Sequence, residues 1–166
     1  LKLNGKLEGV ILLEVDDLMM AGTEEHRQRT MALRKRFHFG KWSELKGSSG
    51  DFAGRQVEQK NDFTIEVHME KFITERLKPT KIEKSRLSDE DSKCTPEEHR
   101  AYRAVVGSVL WAGRETRPDL VGDAVALSTF LAEPRVKHLK WANRTIKIAG
   151  DSPRLSIKYH KIPARN

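Results

Sequence analysis

Two adjacent carboxylates, Asp16 and Asp17, follow the apolar run Val10-Ile11-Leu12-Leu13 by way of Glu14 and Val15. A second run, Leu18-Met19-Met20-Ala21-Gly22, leads away from them. Asp oxygens are hard ligands of the kind magnesium takes. Two like charges at one point are costly without a cation beside them. The residues alone leave two readings open. The pair holds a divalent metal, or it is an Asp-rich hairpin turn, a position that Asp favours for its own backbone bonding.

Both readings require a hairpin over about residues 9–21 to present the pair, with a strand on each side that reads as buried. Thr23 is then a helix N-cap with Glu24 and Glu25 in the first turn, and the helix runs to about Phe37. Residues 42–45 read as extended, and Gly47-Ser48-Ser49-Gly50 as a loop. Residues 51–59 predict a strand, Lys60-Asn61-Asp62 a turn, and the alternating Phe63-Thr64-Ile65-Glu66-Val67 its partner. A helix over 68–77 carries Met69, Phe72, Ile73 and Leu77 on one stripe, and Pro79 stops it.

Residues 78–94 are polar, with mixed charge, and read as a linker. Thr95-Pro96-Glu97-Glu98 is a capping box with Pro at the first helical position. The helix behind it should bury Tyr102, Val105, Val106, Val109 and Leu110. Thr116-Arg117-Pro118-Asp119 breaks it and starts a second helix, which Pro134 ends. A third helix spans about 136–148, and 155–162 suggests a closing strand. The fold class is α+β, divided as 1–77, a linker over 78–94, helices over 95–150 and a basic tail over 151–166.

The chain has 166 residues, enough for a substantial core, and a net charge of +7. Residues 135–166 hold nine basic side chains against the single acid Asp151, so this segment is +8. On the third helix Lys137, Lys140, Arg144 and Lys147 share one narrow arc at 100° per residue, opposite Leu139, Ala142 and Ile146. Such a stripe can track nucleic-acid phosphates, or it can be a solvated lysine face. The single cysteine, Cys94, rules out an internal disulfide and fits a reducing compartment. No apolar run is long enough to span a bilayer as a helix. The expected location is intracellular, cytoplasmic or nuclear, with no secretion signal. The six histidines lack metal spacing and read as surface or helix-end residues, and the three tryptophans read as packing residues.

Three stretches in order carry a family pattern. They are Val15-Asp16-Asp17-Leu18 with Ala21-Gly22, then Glu44-Leu45 with Phe52-Ala53-Gly54, and finally an array in the helical part. That array is Tyr102-Arg103…Gly107-Ser108…Trp111, Thr116-Arg117-Pro118-Asp119-Leu120, Leu127-Ser128-Thr129-Phe130, Pro134 and His138. Over about residues 9–150 the pattern resembles the reverse transcriptase of copia-type LTR retrotransposons, in the C-terminal half of its polymerase domain.

The resemblance implies part of a right-hand polymerase palm, followed by helical thumb and connection regions. It implies that Asp16 and Asp17 are catalytic carboxylates that bind Mg²⁺ or Mn²⁺ for two-metal nucleotidyl transfer onto a primer 3′-hydroxyl. Phe52 and Gly54 would belong to a primer-grip-like hairpin over about residues 52–67. Lys137, Lys140, Arg144 and Lys147 would contact a template–primer duplex. The implied partners are that duplex, a deoxynucleoside triphosphate and the remainder of a Pol polyprotein, with no membrane. Glu14 stands where the family commonly has Tyr. The third metal-binding Asp and the fingers have no counterpart in residues 1–8. The expectation is therefore a polymerase fragment that does not polymerise alone. The alternatives are a non-catalytic nucleic-acid-binding module and a degraded pseudogene product.

Overall fold

A computed structural model describes residues 2–3 and 5–161. The expected closing strand reaches residue 162, and the basic tail includes Arg165; both residues lie outside the described ones.

A two-residue ladder pairs β1 (Lys2–Leu3) with β2 (Lys6–Leu7). The Asp-bearing hairpin follows, β3 (Gly9–Glu14) against β4 (Asp17–Gly22), in register from Gly9↔Gly22 to Glu14↔Asp17. Helix α1 (Glu24–Met31) is capped by Thr23, whose hydroxyl accepts from the His26 backbone N–H. The helix expected to reach Phe37 breaks at Ala32, and α2 (Leu33–Arg36) is a single turn. The Arg-Lys-Arg run leaves α2 without a buried residue to hold it.

The next sheet has four strands, β5 (Ser49–Phe52), β6 (Arg55–Gln59), β7 (Ile65–His68) and β8 (Ile157–Tyr159), antiparallel in the order β5-β6-β7-β8. The single strand expected over 51–59 is two, because Ala53 (φ 48°) and Gly54 (φ 76°) make a tight turn closed by Phe52↔Arg55. Two successive positive φ values match the turn that suits a two-residue hairpin. The segment 42–45 carries no strand.

Helix α3 (Glu70–Glu75) leads to α4 (Pro96–Glu115), α5 (Val121–Ser128) and α6 (Val136–Asp151). The capping box forms as expected. The Glu98 N–H donates to the Thr95 hydroxyl at 3.2 Å, and the Thr95 N–H donates to the Glu98 carboxylate at 2.9 Å. Tyr102, Val105, Val106 and Val109 are buried. Leu110 is exposed instead, since it lies on the outward stripe of α4.

Met69, Ile73 and Leu77 share one buried cluster with residues of α4, α5 and α6. The boundary drawn at residue 77 therefore cuts through a core, and α3 packs with the later helices. The segment 78–94 is no free linker either. Thr80 and Asn143 exchange two 2.8 Å hydrogen bonds. The carbonyls of Glu90 and Ser92 accept from the Lys137 and Val136 N–H groups, satisfying donors that a helix start leaves open.

Three of the histidines are buried rather than superficial: His26, His68 and His138. His138 Nδ1 accepts from the Arg135 N–H at 3.0 Å, and its ring stacks on Phe130 at 3.9 Å. Burial is the main reason that the pKa of His138, like that of His68, lies below its ordinary value. Nearby cations, Lys137 and Arg135 in the first case and Arg154 in the second, act in the same direction.

Only the unfolded chain then takes up these protons as pH falls through its own value of 6.5. Stability is full above that pH and declines below it. At the other end burial raises the Cys94 thiol to about 11 and the Tyr102 phenol to about 12. The unfolded chain ionises these groups first, near their ordinary values of 9.0 and 10.0, so stability falls again as pH rises past them. Thermal melts across this range should give the highest Tm near pH 7 to 8, a window set by those values. A Tm unchanged from pH 7 down to pH 5 would contradict the histidine part.

Candidate functional site

The apex of the β3–β4 hairpin is the two-residue turn Val15-Asp16, with Asp17 opening β4. Val15 has φ 53°, a left-handed conformation that is an outlier for a β-branched residue and holds local strain. Asp16 and Asp17 are both exposed. One Asp17 oxygen, Oδ2, accepts from the Ala53 N–H at 2.7 Å. A carboxylate 36 residues away thus caps the Ala53–Gly54 turn.

A second tether runs alongside. Arg55 Nη1 lies 3.6 Å from the Glu14 carboxylate, while Arg55 Nε donates to Glu115 Oε2 at 2.5 Å and Nη2 pairs with the same oxygen. Glu14, in the position where the resembled family commonly has Tyr, is therefore one end of a Glu14–Arg55–Glu115 chain. That chain ties the hairpin apex to the end of α4. Phe52 is buried beneath this turn. Gly54 faces Trp111 of α4 so closely that a Cβ there would lie 2.9 Å from the indole. Glycine is required at this position by both φ and space.

The strands behind the apex are not buried as their composition suggests. Val10, Ile11, Leu12 and Leu13 are all exposed, Leu13 at 65% and Val15 at 89%. The hairpin forms a two-stranded sheet of its own, so no third strand among the described residues covers it. Its base is held from one side, where the buried His26 ring fills the space left by the paired Gly9 and Gly22.

The fit of a divalent metal can be judged from the donors. Asp16 and Asp17 offer hard oxygens, but Asp17 already spends one on Ala53. Among the described residues no group of three His, Cys, Asp or Glu side chains could hold an ion. Two exposed carboxylates, one of them engaged by a backbone N–H, do not make a two-metal centre by themselves.

The basic stripe of α6 divides in two. Lys137 Nζ lies 2.7 Å from Asp91, and Lys140 pairs with Glu90. The Lys137 hydrogen bond holds the Asp91 carboxyl below its usual pKa. Arg144 and Lys147 are exposed and carry no ion pair among the described residues. Farther along, Arg154 pairs with Glu58 at 2.9 Å and Lys158 with Glu66 at 3.2 Å, directly across the β7–β8 ladder. Four acids, Glu90, Asp91, Glu58 and Glu66, thus offset half of the +8 excess of the C-terminal segment.

Arg117, in the Thr-Arg-Pro-Asp motif, is buried, with 1% of its side chain exposed. It forks onto both Asp119 oxygens at 2.9 and 2.8 Å and donates to the Ala149 and Ser152 carbonyls at 3.1 and 3.0 Å. The motif is a structural clamp that fixes the α4–α5 junction to the end of α6.

The sequence aligns with a protein of Saccharomyces cerevisiae named "Putative transposon Ty5-1 protein", 24% identical over 123 residues. The chain is similar to a transposon protein. The alignment covers 68% of this chain and 40% of that protein, so the chain spans well under half of its relative's length. No protein-family model and no solved structure matches the chain. Among the described residues no helix is long and apolar enough to cross a membrane.

The sequence singled out Asp16, Asp17, Phe52 and Gly54, and these four gather around the 53–54 turn. Lys137, Lys140, Arg144 and Lys147 lie together on α6. Arg55 and Glu115, which join the first group, were missed. Their only signal was opposite charge at positions 60 residues apart, which no periodicity reveals.

Proposed function

We propose that the chain is a piece of a transposon-encoded RNA-directed DNA polymerase, running from the Asp-bearing hairpin of the palm through the thumb and connection helices. In the intact enzyme Asp16 and Asp17 would help hold Mg²⁺ or Mn²⁺, the ions that supply Lewis-acid chemistry for nucleotidyl transfer. The observation that carries this reading is the docking of the carboxylate apex onto the 52–55 turn through Asp17 and Ala53. It brings together the two motifs that the reverse-transcriptase resemblance assigns to the catalytic hairpin and the primer grip. The likeness to the yeast transposon protein supports the same origin.

On this reading the exposed faces of Val10 to Leu13 are covered by further palm strands in the whole enzyme. The isolated chain binds a template–primer duplex and does not extend it, because its carboxylate set is incomplete. Primer extension on poly(A)–oligo(dT) with Mg²⁺ is expected to stay at background. Mg²⁺-dependent extension that Asp16→Ala abolishes would contradict this and make the chain a polymerase in its own right.

A further inference from the structure

We infer that a nucleic-acid phosphate backbone is held in the groove between segment 76–81 and α4, by Arg76, Lys78 and Lys81, and not on the basic stripe of α6. The inference rests on the nucleic-acid reading above and assigns its surface. The groove has a volume of about 360 Å³, with Ala101, Ala104 and Ser108 of α4 among its walls. Among the described residues three cations line it and no acid does. The acids nearest in sequence, Glu75, Glu83 and Glu97, are not among the lining residues.

Three features suit a phosphodiester chain. Small side chains on α4 let a backbone approach closely. Arg76 and Lys81 have no ion pair among the described residues, and the Lys78 ammonium touches only the Thr74 carbonyl. The rim is also fixed in place before any ligand arrives. Leu77 is buried in the core, and Thr80 is locked to Asn143 by the two reciprocal hydrogen bonds. Preorganised cations lose less freedom on binding than mobile ones do. Arg100 and Arg103, exposed and without ion pairs among the described residues, lie on the next stripes of α4 and extend the positive field away from the groove. On α6, by contrast, Glu90 and Asp91 already occupy Lys140 and Lys137.

The test is fluorescence anisotropy with the full chain and a fluorescein-labelled RNA–DNA hybrid, titrated at several salt concentrations. The triple substitution Arg76→Gln, Lys78→Gln, Lys81→Gln alters only side chains outside the core and should leave the melting curve in place. It is expected to reduce the slope of log K against log salt by about 3, close to one unit for each phosphate left without its cation. Ala104→Glu, which puts an acid on the groove wall, should weaken binding in the same direction. Arg144→Gln with Lys147→Gln should change the slope by less than about one unit. Hybrid binding left unchanged by the groove variants, or abolished chiefly in the α6 variant, overturns the groove alone. Absence of hybrid binding by the unsubstituted chain overturns both the groove and the nucleic-acid reading. Tighter binding of a labelled poly-glutamate peptide than of the hybrid would assign the groove to an acidic protein segment and overturn the inference.

Discussion

Arg117→Ala is expected to cost about 2–5 kcal/mol, the range for truncating a large, fully buried side chain. Three costs combine at this position. The Ala149 and Ser152 carbonyls at the end of α6 lose their donor, Asp119 loses its bidentate partner, and a cavity the size of a guanidinium is left where the side chain was 1% exposed. Native domains are stable by only about 5–15 kcal/mol, so this single change removes a large share of the total. Arg117→Lys retains charge but not the planar fork, and should recover only part of the stability. Urea unfolding followed by circular dichroism measures both. A midpoint for Arg117→Ala within error of the unsubstituted protein would mean that the clamp contributes nothing.

Met69→Ala is the second large effect, expected at about 2–5 kcal/mol, the range for truncating a buried methionine. Met69 is fully buried and sits between β7 and α3, within the cluster that α4, α5 and α6 also form. If the sheet and the helices share that core, the substitution lowers one cooperative transition without splitting it. Two separate transitions, with only the earlier one shifted, would restore the division at residue 77 that the sequence suggests.

That division shows where sequence reading succeeds and fails here. Local signals were legible because the interactions behind them are local. The capping box at Thr95 and Glu98 lies within four residues, and the alternation over 63–67 marks β7. The tight turn at Ala53–Gly54 was hidden because Ala is no turn former. Its left-handed φ is held by a hydrogen bond to Asp17, far away in the chain.

Charge counting misled for a related reason. A segment with net +8 looks ready for a polyanion, but Glu90, Asp91, Glu58 and Glu66 fold back onto it. The segment 78–94 reads as a linker because it is polar, and it stays ordered through backbone bonds to the start of α6 and through Ile82 and Cys94, which pack against the core. The β3 run reads as buried because four consecutive apolar residues ordinarily are. Its exposure is a property of the neighbours it lacks, which no stretch of its own sequence reports.

At the candidate site the hairpin that presents the Asp pair was legible from the two apolar runs that flank it. The Glu14–Arg55–Glu115 chain was not legible, because opposite charges are common and only folding selects which ones meet.

The central claim, that the chain binds nucleic acid and does not extend a primer, is tested most directly by hybrid affinity in two salt concentrations. Three cations line the α4 groove: Arg76, Lys78 and Lys81. Three phosphate contacts correspond to a slope near about −2.7, and affinity then falls about 40-fold between 50 and 200 mM salt. A steep dependence of that order, with no primer extension in the same mixture, is the predicted result. Binding that is absent at about 50 mM salt, or insensitive to the fourfold increase, would contradict the account.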